Sequence, residues 1–269
     1  SEETTGPEAT AGGMKETAEA GANATEAAVR KIAESLRAYA HTEGIDLGRL
    51  VCESKRVDDT DWKDNWKAYF KPARITEHIT VKPTWETYER QADNELIIEI
   101  DPGMAFGTGT HETTSCCLRL LEKYIKPGDA VLDVGAGSGI LSIAAHLLGA
   151  GEVLGVDIDP EAVRVGRENV DRNGLADAID IVQGDLTKGV DFCADLAVAN
   201  LMADLVKLLS KDISKHIKPG GIYISSGILA ELADKVAAAI QASDFEIAEI
   251  LFDGEWCAIA AVNEGGCHG

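Results

Sequence analysis

Three stretches of this chain carry residue types and spacings suited to chemistry on a nucleoside. The first is Asp133-Val134-Gly135-Ala136-Gly137-Ser138-Gly139, which follows the apolar run Ala130-Val131-Leu132 and opens a helical pattern. Glycine lets a backbone approach a ligand closely and tolerates unusual φ. The spacing is G-x-G-x-G, whereas the dinucleotide fingerprint G-x-G-x-x-G would need glycine at position 140, where Ile140 stands. That missing glycine serves helix packing around a pyrophosphate, so the expected ligand is a nucleoside without one, S-adenosylmethionine rather than NAD. Gly135 and Gly137 are expected to cradle it. Asp157 closes the next strand, Val153-Leu154-Gly155-Val156-Asp157, where a carboxylate accepts from both ribose hydroxyls. Asp185, after Gln183-Gly184, either accepts from the adenine amino group or is a plain turn residue. Asp133 either supports the loop or a water on the methionine part of the ligand, or caps the turn.

The second stretch is Val198-Ala199-Asn200, ending a strand. Ligands of doubly wound sheets gather at such strand ends. Methyl transfer to an amine needs a lone pair aimed along the S–CH₃ axis. A lysine amine must first lose a proton, at a cost of about 4 kcal/mol at pH 7.4. A carboxylate would favour the ammonium form, while a neutral Asn carbonyl orients the amine with less of that penalty. Asn200 is therefore the catalytic candidate, with rate coming from proximity and alignment. The competing reading makes Asn200 the cap of a helix at Leu201.

The third stretch, Asp101 to Thr114, packs glycines and threonines ahead of a helix. It is expected to act as a lid, with Phe106 shielding the cofactor and hydroxyls donating to its carboxylate. His111 is either a base or, as is commoner for a lone histidine, a structural hydrogen-bonder.

The elements that must position these residues alternate regularly. Helices are expected over 112–124, 140–148, 160–173, from about 200 to 217 and over 229–242. Strands are expected over 96–100, 130–134, 153–157, 179–183, 196–199 and 222–225, the last entered through a Pro219-Gly220-Gly221 turn. Phe245–Phe252 and Trp256–Val262 form a closing hairpin. This alternation implies a doubly wound α/β sheet with one antiparallel strand. Upstream, residues 1–24 read as a disordered tail, 25–40 as a helix and 50–57 as a strand. Residues 58–94 read as a linker with an aromatic helix (Trp62, Trp66, Tyr69) and a strand over 75–81. The cofactor domain is placed at 95–263.

Of the 269 residues, 46 are acidic and 25 basic, a net charge of −21. Such a surface repels phosphate backbones and anionic lipid and attracts a basic partner, so direct nucleic-acid or membrane binding is not expected. The six cysteines and six histidines complete no zinc pattern. The thiols are expected to be idle in a reducing compartment. The N-terminus lacks a signal-peptide pattern, and no apolar run is long enough to span a bilayer. The expected location is cytoplasmic.

The segments PGMAFGTGTHETT, VLDVGAGSGILSIAA, GVDIDPEAV, ANLM and GEWCAIAAV, with DWKDNWKAYFKP upstream, together resemble the PrmA family, which methylates the large-subunit ribosomal protein number eleven. The resemblance spans about Asp61 to Val262. It implies a seven-stranded class I methyltransferase sheet of order 3-2-1-4-5-7-6 with strand 7 antiparallel. It also implies cofactor contacts at Thr114, Gly135, Asp157 and Asn200, and lysine or N-terminal amines as acceptors. The family's ferredoxin-like recognition module is represented only by the helix over 25–40 and the strand over 50–57. That reduced segment leaves open an alternative reading, a class I methyltransferase acting on an amine of another protein or of a small molecule.

Overall fold

A computed structural model describes residues 70–101, 111–265 and 267. The expected tail, the helix over 25–40, the strand over 50–57, the aromatic residues Trp62, Trp66 and Tyr69, and Phe106 lie outside the described residues.

The described chain opens with a three-stranded sheet of β1 (Ala73–Arg74), β2 (Ile79–Pro83) and β3 (Leu96–Ile100). β2 pairs antiparallel with β1 and parallel with β3. The strand expected from Ile75 begins only at Ile79, because the Thr76 hydroxyl accepts from the backbone N–H groups of His78 and Ile79 and turns the chain there. Leu96–Ile100, read as the opening strand of the cofactor domain, belongs to this small sheet. Its connection is held by Glu95, which is 1% exposed. The carboxylate accepts from the hydroxyls of Thr80 and Tyr88 and from the Gln91 N–H. Those hydrogen bonds, the Thr80 hydroxyl foremost, lower its pKa to about 2.

The remaining elements form the second sheet and its helices. They are α1 (Glu112–Tyr124), β4 (Ala130–Val134), α2 (Ile140–Leu147), β5 (Glu152–Asp157), α3 (Pro160–Arg172), β6 (Ile179–Gln183) and β7 (Ala194–Asn200). After them come α4 (Ala203–Ile213), β8 (Ile217–Leu229), α5 (Ala233–Gln241), β9 (Phe245–Asp253) and β10 (Trp256–Asn263). The sheet order is β6-β5-β4-β7-β8-β10-β9, which is the expected 3-2-1-4-5-7-6. β10 runs antiparallel to both its neighbours, since a two-residue turn can join β9 to β10 only by reversing direction. Successive residues of each strand face opposite layers. Val131, Val153, Ile181 and Val198 pack under α1, α2 and α3. Leu132, Val134, Val156, Ala197 and Ala199 pack under α4 and α5. Buried on both faces, the inner strands read as continuous apolar runs.

Two local readings change. Pro219-Gly220-Gly221 does not separate a turn from a strand. It forms a bulge within β8, where pairing jumps from Ala194↔Ile217 to Leu196↔Ile222. The helix expected from Leu229 starts as a 3-10 turn over Ala230–Leu232 and becomes α-helical at Ala233.

The expectation of idle thiols holds for only part of the set. Cys116, Cys117 and Cys257 are free and buried, and burial pushes Cys116 and Cys257 up to about 11. Cys193 and Cys267 instead form a disulfide across 74 residues of sequence. The fold brings them together because Asn263 donates to the carbonyls of Ser214 and Ile217, and the Cys267 N–H donates to Ile217. In the chain-entropy account, closing a loop of that length stabilises the fold by about 4 kcal/mol. Among the described residues, no helix is long and apolar enough to cross a membrane.

Candidate active site

At the carboxyl ends of β4, β5, β6 and β7 lies a cleft of about 570 Å³. This is within the roughly 300–1,000 Å³ span of small-molecule sites. Thr114, Gly135, Gly137, Asp157, Asp185 and Asn200 all line it. These six sequence-selected residues are thus gathered in one place, while Asp133 is not among them.

The floor is made by the glycine turn. Gly135 and Ala136 donate their N–H groups to the Val156 carbonyl at 2.7 and 3.1 Å, which binds the turn to the neighbouring strand. Gly135 has φ +83, and a Cβ there would come 2.6 Å from Leu201 Cδ2. Only glycine lets the turn lie against the residue that follows Asn200. Asp157 accepts from the Gly137 N–H at 2.8 Å and from the Asp159 N–H at 3.0 Å. These bonds fix the carboxylate at the strand end while leaving it lone pairs for a ligand. Asp159 in turn caps α3, with Pro160 at the first helical position. Asp185 stands half-exposed at the cleft mouth and pairs with Lys188.

Asp133 does not line the cleft. It lies beneath the turn, fully buried, and accepts from the Ser142 hydroxyl at 2.7 Å. Its other carboxylate oxygen has no partner. Burial outweighs that one hydrogen bond and raises its pKa to about 7.

The opposite wall holds Asn200. Its side-chain N–H₂ donates to the hydroxyls of Thr113 and Thr114, each at 3.3 Å. Both donor hydrogens are thereby committed, and the carbonyl oxygen is the group left for a ligand. The capping reading is overturned: α4 begins at Ala203, and Met202 is its N-cap. Leu201 is pinned beyond Asn200. Its N–H donates to the Ser226 carbonyl, and a Cβ on Gly227, which has φ +80, would come 2.3 Å from the Leu201 carbonyl oxygen. His111 lines the cleft and makes the structural hydrogen bonds expected of it. It caps α1, accepting the Thr113 N–H at its Nδ1, and Nδ1 lies 2.9 Å from the Thr113 hydroxyl.

Sequence reasoning missed two residues of the cleft lining and one behind it. Trp256 lines the cleft at the start of β10 and meets the His111 ring edge-on at 5.3 Å. Its signal was an aromatic residue just after a hairpin turn. Thr113 was overlooked beside Thr114. Asn169, fully buried in α3, accepts from the Asp101 N–H at 3.0 Å and donates to the Ser138 carbonyl at 2.9 Å. It thereby ties the entry to the 102–110 segment to the glycine turn. Its signal was an asparagine inside a helical pattern, where it is a poor former.

A doubly wound sheet of this order, with a glycine cradle, a strand-end acid and a neutral amide around one cleft, defines a class I methyltransferase. The residues present fit S-adenosylmethionine: a cradle without a pyrophosphate-packing glycine, and a carboxylate anchored to receive a sugar. The family model of ribosomal protein L11 methyltransferase (PrmA) matches residues 7–264. Ribosomal protein L11 methyltransferase of Clostridium botulinum (strain Eklund 17B / Type B) is 49% identical over 218 residues, which cover 81% of this chain and 69% of the relative. That of Pelotomaculum thermopropionicum is 48% identical over 208 residues, covering 77% and 67%. The crystal structure of a ribosomal protein L11 methylase from Lactobacillus delbrueckii subsp. bulgaricus superposes with a TM-score of 0.67 at 35% identity, covering 74% of this chain and all of that one. This chain belongs to the ribosomal protein L11 methyltransferase (PrmA) family and is an S-adenosylmethionine-dependent methyltransferase.

Proposed function

We propose that this enzyme methylates lysine side-chain amines, an N-terminal amine, or both, on the large-subunit ribosomal protein L11, in the cytoplasm. The observation that carries the reading is the Asn200 amide, clamped by two threonine hydroxyls in the same cleft as the glycine turn. When bound, the cofactor supplies an electrophilic methyl group on a cationic sulfur. Gly135 and Gly137 would hold it by backbone approach, Asp157 would take the ribose, Asp185 the adenine edge, and Thr114 would support the methionine end. Phe106 is the side chain that the sequence offers to shield it. Asn200 offers a neutral carbonyl to the incoming amine and aims its lone pair without stabilising the ammonium form. Trp256 supplies an aromatic wall that favours a cationic or methylated nitrogen nearby. The acidic surface suits a basic protein substrate.

The test is mass spectrometry of ribosomal protein L11 after incubation with the enzyme and isotopically labelled S-adenosylmethionine. The expected result is label on amine nitrogens with the wild-type enzyme and little with Asn200→Ala. Label on carboxylates or hydroxyls, or none at all, would remove this assignment.

A further inference from the structure

The clamp on Asn200 is only as well aimed as the helix turn that carries it. Thr113 and Thr114 stand in the first turn of α1, and Asn200 reaches them from the end of β7. Ser226, in β8, is a second joint between these two elements. It pairs with Asn200 across the parallel ladder, and its carbonyl accepts the Leu201 N–H at 3.0 Å. Tyr223 packs under α4 and α5, and Ile224 under α1, so strand alternation turns the Ser226 side chain toward α1. Its hydroxyl donates to the Thr113 carbonyl at 3.1 Å and shares that hydrogen with the Cys257 carbonyl at 3.2 Å. One fully buried residue thus holds the ends of β7 and α1 against each other and touches β10 beside Trp256.

The strand is irregular at this point. Pairing of β8 with β10 passes from Ile228↔Cys257 to Ser225↔Ile259, so Ser226 and Gly227 together face Ala258 alone. A bulge of this kind re-aims a side chain and is common beside active sites. Gly227 takes φ +80 there and lies against Leu201. The neighbouring Ser225 is equally buried, yet its hydroxyl has no hydrogen-bond partner. A buried hydroxyl tie stabilises a fold by about 0.5–1.5 kcal/mol wherever it sits; what distinguishes Ser226 is that both its ties end on the frame of Asn200. Resting on the amine-methylation reading above, in which Asn200 aims the amine, we infer that Ser226 is a positioning residue for methyl transfer. It sets the spacing between the first turn of α1 and the end of β7, and through the two threonine hydroxyls it sets the direction of the Asn200 carbonyl.

The experiment is a double-mutant cycle in the full chain, with Ser226→Ala, Asn200→Ala and the two combined. Methylation of ribosomal protein L11 is followed at saturating S-adenosylmethionine, and S-adenosylhomocysteine binding is measured by calorimetry. Ser226→Ala should lower kcat about tenfold, as for a reactant turned slightly out of line. The KM for L11 and the S-adenosylhomocysteine affinity should each stay within about twofold. In the Asn200→Ala background the same change should lower kcat by no more than about twofold, because the group it positions is gone. Ser225→Ala, which removes an unpartnered hydroxyl, should leave every parameter at the wild-type value. If Ser226→Ala does not fold, Ser226→Cys, which keeps a weaker donor in place, carries the same cycle with a smaller loss. A wild-type kcat in the variant tested overturns the inference. So does a loss repeated in full in the Asn200→Ala background, or a loss of cofactor affinity equal to the loss of kcat; either makes Ser226 a structural tie alone. Undiminished turnover in Asn200→Ala, or a wild-type enzyme that does not methylate L11, would instead overturn the functional reading itself.

Discussion

The two walls of the cleft are built in opposite ways. The floor is local: Gly137 reaches Asp157 across 20 residues, and both belong to one strand–turn–helix–strand unit. The facing wall is distant in sequence. Asn200 is held by Thr113 and Thr114 across 87 and 86 residues, and Ser226 donates to the Thr113 carbonyl across 113. The floor uses backbone N–H groups and the absence of side chains. The wall uses hydroxyls, an amide and an indole. A cofactor common to many enzymes is thus met by a motif that carries its own geometry, while the acceptor is met by residues that only the folded sheet assembles.

The sharpest way to break this division is Asn200→Ala. If the wall serves the acceptor alone, kcat should fall on the order of 100-fold, as expected for a misaligned reactant. S-adenosylhomocysteine affinity by calorimetry should change by less than about threefold. A comparable loss of both would merge the two walls into one function. Next is Asp157→Ala, where loss of charge-assisted hydrogen bonds should weaken S-adenosylhomocysteine binding by about 10- to 100-fold. Turnover at saturating cofactor should stay near wild type, and an unchanged affinity would take the sugar away from this residue.

Asn169→Ala tests whether the floor is as self-contained as its short range suggests. The change removes the hydrogen bonds to the Ser138 carbonyl and from the Asp101 N–H, so unfolding in urea should show a loss of about 1–3 kcal/mol. Stability equal to wild type would mean that the glycine turn needs no tie from α3.

The smallest expected effect is on pH dependence, and it sets the floor against the small sheet. Asp133 has a folded pKa of about 7, above its ordinary 3.8. The fold therefore keeps a proton that the unfolded chain releases. The associated stability is fully present below about pH 4 and is lost as pH rises toward 7. Glu95, held at about 2 below its ordinary 4.5, acts in the reverse sense: it contributes above pH 4.5, and that contribution fades as pH falls toward 2. Between pH 5 and 7 the Glu95 contribution is already complete, so of these two carboxyls Asp133 alone acts there. Asp133→Asn should flatten the decline in stability across that window, measured by denaturant titration. A slope identical to wild type would show that the buried carboxyl does not govern it.

Much of the molecule was legible in the order of its residues. The strands at 130–134 and 179–183 and the helix at 112–124 stand where their apolar patterns placed them, because burial imposes the pattern on the chain. The glycine turn and Asp157 were readable because a backbone cradle demands particular residue types at fixed local spacing. The ends of irregular segments were less so. Thr76 stops a strand with a side-chain hydrogen bond, and the Pro219-Gly220-Gly221 step is absorbed into β8 by its pairing with β7.

Tertiary structure alone decided the rest. Nothing near Asn200 in the chain distinguishes a helix cap from an amide aimed into a cleft. The choice is made by two threonines that α1 brings from more than eighty residues away. The same holds for Trp256 and for the Cys193–Cys267 bond, each brought to its partner by elements far apart in the chain. Local sequence dictates conformations because their hydrogen bonds close within a few residues. Which side chains meet across the cleft depends on how helices and strands pack, and that is a property of the whole chain.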